Sequence, residues 1–475
     1  MSSYDVRVYK IEERKSKRAG KPTSTYRVRW QVAGERFGDS FKTSALAESF
    51  RAKLITAQRE GIAFDERCGL PEPMARALNT RSWYQHVVAF VDLKWARASA
   101  NHRKGIAETL AGATMLLLSS TRGMPSEAML RKALRTYVCN KNRRDAGPPP
   151  PDLASAVAWV ESNTVNLIDL ADASLVRKVL DGLALTLDGR AAAASTVHRK
   201  RAVFSGALRY GVELGHFAGH PMDNVKWSAP TAEDEEIDRR AVANQQQARR
   251  LLVGVRQTAP ELEAFFGTLY FAGLRPEEAL HLTNDEYERP VKKGDWGWLH
   301  LTGATVEIGN GWGDTDDTTE DRGLKHRSRK AVRDVPASPP LCALLDRHIT
   351  KWPPGPNGRL FVTRRGPGGM YVPTAGRPVT RNAISTAWRK AREVALTPAE
   401  HRSPLATVPY QLRHACLSLW LSMGISPALV ARWAGHSVKV LLTVYASWIF
   451  GEERAAMDRI AERYEELPEA DDTAE

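Results

Sequence analysis

Cysteine is scarce: the 475-residue chain has four, at Cys68, Cys139, Cys342 and Cys416. None is spaced as a pair, which argues against a disulfide framework and a Cys-based zinc site. No apolar run approaches the roughly 20 residues that span a bilayer. The start, MSSYDVRVYK, has no apolar segment of the signal-peptide kind. A reducing, cytoplasmic setting without a membrane partner is expected. Phosphate-binding loops are also missing, because Gly20-Lys21-Pro22-Thr23 lacks the required Gly-x-x-x-x-Gly-Lys-Ser/Thr spacing. Gly309, Gly311 and Gly313 form no dinucleotide fingerprint. Asp314, Asp316, Asp317, Glu320 and Asp321 imitate a calcium loop only superficially, since its Gly and terminal Glu are misplaced. No metal and no cofactor is expected.

What the chain does have is positive charge. Lys and Arg outnumber Asp and Glu by 68 to 55, a net of +13. The excess is clustered: residues 1–60 hold fourteen bases against seven acids, whereas 461–475 hold one base against seven. A clustered basic face fits a polyanionic partner. The acidic end, 466–475, reads as a solvated tail.

The length suggests about three domains. In residues 1–64, Tyr26-Arg27-Val28-Arg29-Trp30-Gln31-Val32 alternates apolar and polar positions, Gly34 supplies a turn, and Ala45 to Glu60 has helical spacing. A small sheet plus helix is expected, with Arg27 and Arg29 on its outer face. A polar linker with Pro71 and Pro73 follows. Residues 82–226 read as all-helical, with segments at Trp83–Ala98, His102–Ser119, Ser126–Val138 and Ser195–Leu214. Gly147 to Pro151 is expected to be a loop, and Arg199 and Arg201 fit a phosphate-contacting edge. Ser228 to Arg240 reads as an exposed hinge. Residues 241–465 mix helices with strand-like stretches at Trp298–Ile308, Lys330–Val335 and Leu360–Thr363.

The most informative stretch is Pro409 to Ile449. Gly424 and Gly435 close two helices, and Ser426-Pro427 and Ser437 open the next two. Packing of Leu417, Trp420, Leu421, Leu429, Val430 and Leu442 can then gather Arg413, His436 and Tyr445. The order is Arg, Gly-His-Ser, then a Tyr nine positions after the His. Upstream lie Gly273-Leu274-Arg275-Pro276-Glu277-Glu278 and, after Lys325, Arg333-Asp334-Val335-Pro336. Pro276, Glu277 and Glu278 mark a helix start beside Arg275.

These four separated motifs, in this order, resemble those of the tyrosine recombinase (phage integrase) family. The resemblance implies an N-terminal arm-type DNA-binding module, a helical core-binding domain and a mixed α+β, mainly helical, catalytic domain. It implies strand cleavage and rejoining through a 3′-phosphotyrosine, hence site-specific integration or excision of a mobile element such as a phage. Expected partners are double-stranded DNA attachment sites, three further copies in a tetramer on DNA, and an accessory bending or directionality factor. Tyr445 is implied as nucleophile, Arg275 and Arg413 as the phosphate clamp, His436 as phosphate or nucleophile partner, and Lys325 as general acid, with Lys330 its rival. Glu278 is implied to orient an arginine. The family's His-x-x-Arg box reads Tyr410-Gln411-Leu412-Arg413 here, which leaves the role of Tyr410 open. His414 and Tyr287 read as structural. Two alternatives use the same residues: a hairpin telomere resolvase or type IB topoisomerase, and a DNA-binding protein of the same fold with a decayed site.

Overall fold

A computed structural model describes residues 2–18, 21–78, 81–230, 238–325, 328, 330–364, 375–449, 457–458 and 460–461. The chain divides into two compact units, residues 1–232 and 233–475. The acidic tail and most of the expected hinge lie outside the described residues.

The first unit opens with an antiparallel sheet of β1 (Val6–Val8), β2 (Glu12–Arg18), β3 (Lys21–Val32) and β4 (Glu35–Phe41). The long β3 pairs with all three others. Alternation sends Val28, Trp30 and Val32 inward, so Arg27 and Arg29 take the opposite face. Ala33 and Gly34 both adopt positive φ, 46° and 85°, and close β3 onto β4 with a two-residue turn. Helix α1 (Ser44–Arg59) is capped by Thr43 and buries Ala47, Leu54 and Ala57. The stretch read as a linker is folded: Phe64 and Leu70 belong to this core, and Met74 of helix α2 (Glu72–Leu78) packs against it. Their apolar side chains outweigh the flanking prolines.

The rest of this unit is helical. Ser82 and Gln85 form a capping box at the start of α3 (Trp83–Trp95), and α4 (Ala100–Leu116) follows. Pro151 is the first residue of α5 (Pro151–Ser162) and not part of the preceding loop. A first-turn N–H has no helical acceptor, so proline costs nothing there. Beyond α6 (Ala173–Leu183) comes α7 (Ala194–Glu213), on which Arg199 and Arg201 are exposed. Lys200 instead donates to the Leu183 and Leu185 carbonyls.

In the second unit, α8 (Gln245–Thr258), α9 (Glu263–Phe271) and α10 (Pro276–His281) precede the strands. β5 (Tyr287–Glu288), β6 (Gly297–Leu301) and β9 (Arg333–Ala337) make a three-stranded antiparallel sheet. β7 (Gly303–Glu307) and β8 (Thr319–Gly323) form a separate hairpin. The expected strand at 360–363 reduces to one bridge, Val362 to Pro378. Helices α11 (Pro339–Lys351), α12 (Arg381–Ala395), α13 (Gln411–Ser422), α14 (Pro427–Ala434) and α15 (Val438–Ile449) complete the unit. One core runs through it, in which Phe266 stacks on Trp388 at 5.0 Å. On α15 it is Leu441, fully buried, that packs inward, and Leu442 is exposed. Leu441 lies one helical turn before buried Tyr445, at i,i+4 on the same face, so the inward position is 441 and not 442. Tyr445 itself departs from helical backbone (φ −121°, ψ 16°).

Candidate active site

Arg275 is the N-cap of α10, where Pro276 presets the first turn. Its backbone N–H donates to Glu278 Oε2 at 2.8 Å, and its Nη1 to Glu278 Oε1 at 2.7 Å. The same carboxylate takes a two-pronged contact from Arg333 on β9, Nη1 to Oε1 at 2.8 Å and Nη2 to Oε2 at 2.7 Å. Glu278 and Arg333 are each only 2% exposed. Burial would raise the Glu278 pKa, but the Arg333 hydrogen bonds and the charges of Arg333, Arg413 and Arg275 hold it down to about 2. Glu278 thus orients two arginines. Arg333, read from sequence only as the mark of a strand end, is the second.

The C-terminal end of α14 is the other anchor. Its last carbonyls lack helical partners and carry the negative end of the helix dipole. Arg275 Nη2 donates to Gly435 O at 2.8 Å, and Arg413 Nη2 to Ala434 O at 2.7 Å. Arg413 Nη1 donates to Gly273 O. Gly435 is left-handed (φ 65°), and a Cβ there would lie 2.3 Å from Arg333 Nη1. Only glycine lets the three arginines crowd this turn. Three guanidiniums against one carboxylate leave a buried charge of +2, suited to an anion whose charge grows during reaction.

Two imidazoles flank Arg413, which is fully buried. His436 Nε2 lies 3.0 Å from Arg413 Nη2. Burial, then the Arg413 and Arg275 charges, push its pKa down to about 3, so the ring is neutral and Nε2 accepts. Its Nδ1 is buried with no partner among the described residues, as is Arg413 Nε. His414, read as structural, places Nδ1 2.6 Å from the Tyr445 phenol oxygen. Burial and then Arg413 depress its pKa to about 4. Tyr445 has no exposed surface. Its burial raises the phenol pKa, against the pull of Arg413. Tyr410 meets the His414 ring edge-on at 5.0 Å.

The structure therefore gathers Arg275, Glu278, Arg413, His436 and Tyr445, with Tyr410 beside them. It does not bring in Lys325, which is exposed two residues beyond the β7–β8 hairpin, nor Lys330, also exposed. Neither makes a hydrogen bond or ion pair to the arginine cluster among the described residues. Tyr287 is buried, its hydroxyl 3.4 Å from Cys342 O. In the first unit Arg29 is exposed and paired with Glu12, and Arg27 is half-buried. Among the described residues no group of His, Cys, Asp and Glu is arranged to hold a metal, and no helix is long and apolar enough to cross a membrane. Two residues with chemical weight were given no role at the site from sequence: Arg333, quoted only as part of the Arg-x-Val-Pro motif, and His414, read as structural although it follows Arg413 directly.

No family model matches the sequence, and no match is found among curated proteins. Among solved structures the chain is similar to residues 82–397 of the Tn1549 transposon integrase in complex with circular intermediate DNA (15% identity, 70% of this chain and 99% of that one, TM-score 0.43). It is similar to the XerH site-specific recombinase bound to a palindromic difH substrate (13%, 75% and 96%, TM-score 0.41). It is also similar to a lambda integrase tetramer bound to a Holliday junction (12%, 88% and 92%, TM-score 0.43).

Proposed function

We propose that this chain is a tyrosine-type site-specific DNA recombinase, in which Tyr445 attacks a phosphodiester and leaves a 3′-phosphotyrosine. The observation that carries this reading is the convergence of Arg275 and Arg413, from distant helices, on the end of α14, with His436 and Tyr445 beside them. Forked donors on a +2 site favour the pentacoordinate phosphorus, whose oxygens hold more charge than the ground state. His436 Nδ1–H is free to donate to a non-bridging oxygen. The Tyr445 oxygen bonds to phosphorus, the 5′ oxygen departs with a proton, and the phosphotyrosine keeps the bond's energy for rejoining. By resemblance Lys325 supplies that proton, which requires its segment to close on bound DNA. Tyr445 is covered as it stands, so the atoms above the phenol must shift before phosphorus can approach.

Within this reading residues 1–64 bind arm-type DNA through Arg27 and Arg29, 82–226 grip core DNA through Arg199 and Arg201, and four copies assemble on two duplexes. Integration or excision of a mobile element is the outcome.

Cleavage of a nicked duplex pool with randomised cores tests it. A covalent protein–DNA adduct, absent in Tyr445→Phe, is expected. An intact protein that retains DNA without forming an adduct overturns the enzyme reading in favour of a binder. Relaxation of supercoils without joint molecules points to a topoisomerase.

A further inference from the structure

Tyrosine attack on phosphorus requires a place for the phenol proton, and the geometry decides which imidazole provides it. His436 is the group that the sequence suggests. Its ring is committed, however. Nε2 accepts from Arg413 Nη2 at 3.0 Å, and a guanidinium cannot give up that proton to make way for another. The neutral ring then carries its own hydrogen on Nδ1, an atom without a partner among the described residues. Both nitrogens are closed to an incoming proton, and toward a bound phosphate His436 can act only as a hydrogen-bond donor, through Nδ1.

His414 has the opposite disposition. It sits in the first turn of α13, one residue after Arg413, with Nδ1 2.6 Å from the Tyr445 oxygen and ring centroids 5.7 Å apart. That separation is within reach for direct proton transfer. Tyr410, in the position where the resemblance would place a histidine, packs edge-on against the His414 ring at 5.0 Å. A phenol there is no base near neutral pH, but it does fix the ring that contacts Tyr445.

We propose that His414 is the general base of the cleavage step, receiving on Nδ1 the proton that Tyr445 loses, while His436 only donates to the phosphate. The inference rests on the recombinase reading above. As the phenol oxygen bonds to phosphorus, its O–H bond breaks and the proton passes to His414 Nδ1. The bond from phosphorus to the 5′ oxygen breaks, and that oxygen takes a proton from the general acid. Rejoining runs in reverse: the 5′ hydroxyl attacks, and His414 returns its proton to the departing phenolate. The incoming phosphodiester offsets part of the +2 charge beside the ring, which lets an imidazolium exist there during the step. Uncovering the phenol must leave the His414 contact in place.

Two measurements on the full-length protein test this. The first needs no DNA. With ¹⁵N-labelled histidines, assigned by His414→Gln and His436→Gln, His414 Nδ1 should report as the unprotonated, accepting nitrogen, and His436 as carrying its proton on Nδ1. A proton on His414 Nδ1 overturns the proposal whatever the protein does to DNA. The second is single-turnover adduct formation on the nicked randomised pool. His414→Ala and His414→Gln should both slow it by about 10²–10⁴-fold with DNA retention unchanged. The Gln amide can hold the phenol but take no proton. Placing the more acidic 3-fluorotyrosine at position 445 should recover at least tenfold of the loss in His414→Ala. A His414→Ala rate within threefold of the parent, or a His414→Gln rate near it, overturns the base role while leaving the recombinase reading intact. No adduct from the parent protein overturns both.

Discussion

Replacing Glu278 with glutamine keeps the shape of the side chain and removes its charge. In the structure the carboxylate accepts from Arg275 N, Arg275 Nη1, Arg333 Nη1 and Arg333 Nη2. An amide offers one acceptor oxygen and turns an NH₂ toward donors, so at least one guanidinium loses its partner at a site only 2% exposed. Breaking a buried ion pair from one side costs about 3–5 kcal/mol, a large share of the roughly 5–15 kcal/mol that holds a domain folded. At about 3 kcal/mol the opening equilibrium rises on the order of 100-fold. Hydrogen exchange by mass spectrometry on peptides covering α10 and β9 should show that acceleration. The pH dependence has a fixed sign. The Glu278 pKa is depressed to about 2, so its contribution is complete above the ordinary carboxylate value and drains away as pH falls toward 2. The parent should therefore lose protection on acidification, and the variant should respond less. Exchange in α10 and β9 within threefold of the parent would refute the idea that this carboxylate holds the arginines.

Gly435→Ala places a methyl group against Arg333 Nη1 in a left-handed residue; it should destabilise by at least about 1 kcal/mol in thermal unfolding and abolish adduct formation. Leu441→Ala should cost about 2–5 kcal/mol in denaturant melts, whereas Leu442→Ala, at an exposed site, should stay within about 0.5 kcal/mol. His300 on β6 lies 2.7 Å from Asp334 and 2.8 Å from Glu288, hydrogen bonds that raise its pKa. Its contribution should be present below the ordinary histidine value and lost as pH rises through the raised one. Amide exchange of β6 followed from pH 5 to 9 should show that loss, and His300→Gln should flatten the profile.

Much of the site could be read along the chain because local rules write it. The turn at Gly273–Glu278 and the caps at Ser426 and Ser437 depend on neighbours a few residues away, and they place Arg275 and His436 at helix ends. Arg333 could not be read that way. Its partner Glu278 lies 55 positions away on α10, and no local pattern encodes that meeting. His414 is similar: its contact with Tyr445 joins two helices 31 positions apart. The Leu441 and Leu442 reversal was legible, since Leu441 and not Leu442 stands four residues before Tyr445 and so shares its buried face. Lys325 was assigned by resemblance alone, and it follows the hairpin that ends at Gly323.

The bend at Tyr445 belongs to a ring wholly inside the packed interior. Exposing such a ring to water forfeits on the order of 2 kcal/mol, so at rest only a few per cent of molecules hold it ready. If the chain cuts DNA as proposed, unprogrammed nicking is throttled by the same packing that keeps the domain folded. On the proposed reading, a duplex that fits well enough to supply the missing energy would lift that restraint, and selectivity for sequence and readiness to cut would become one quantity.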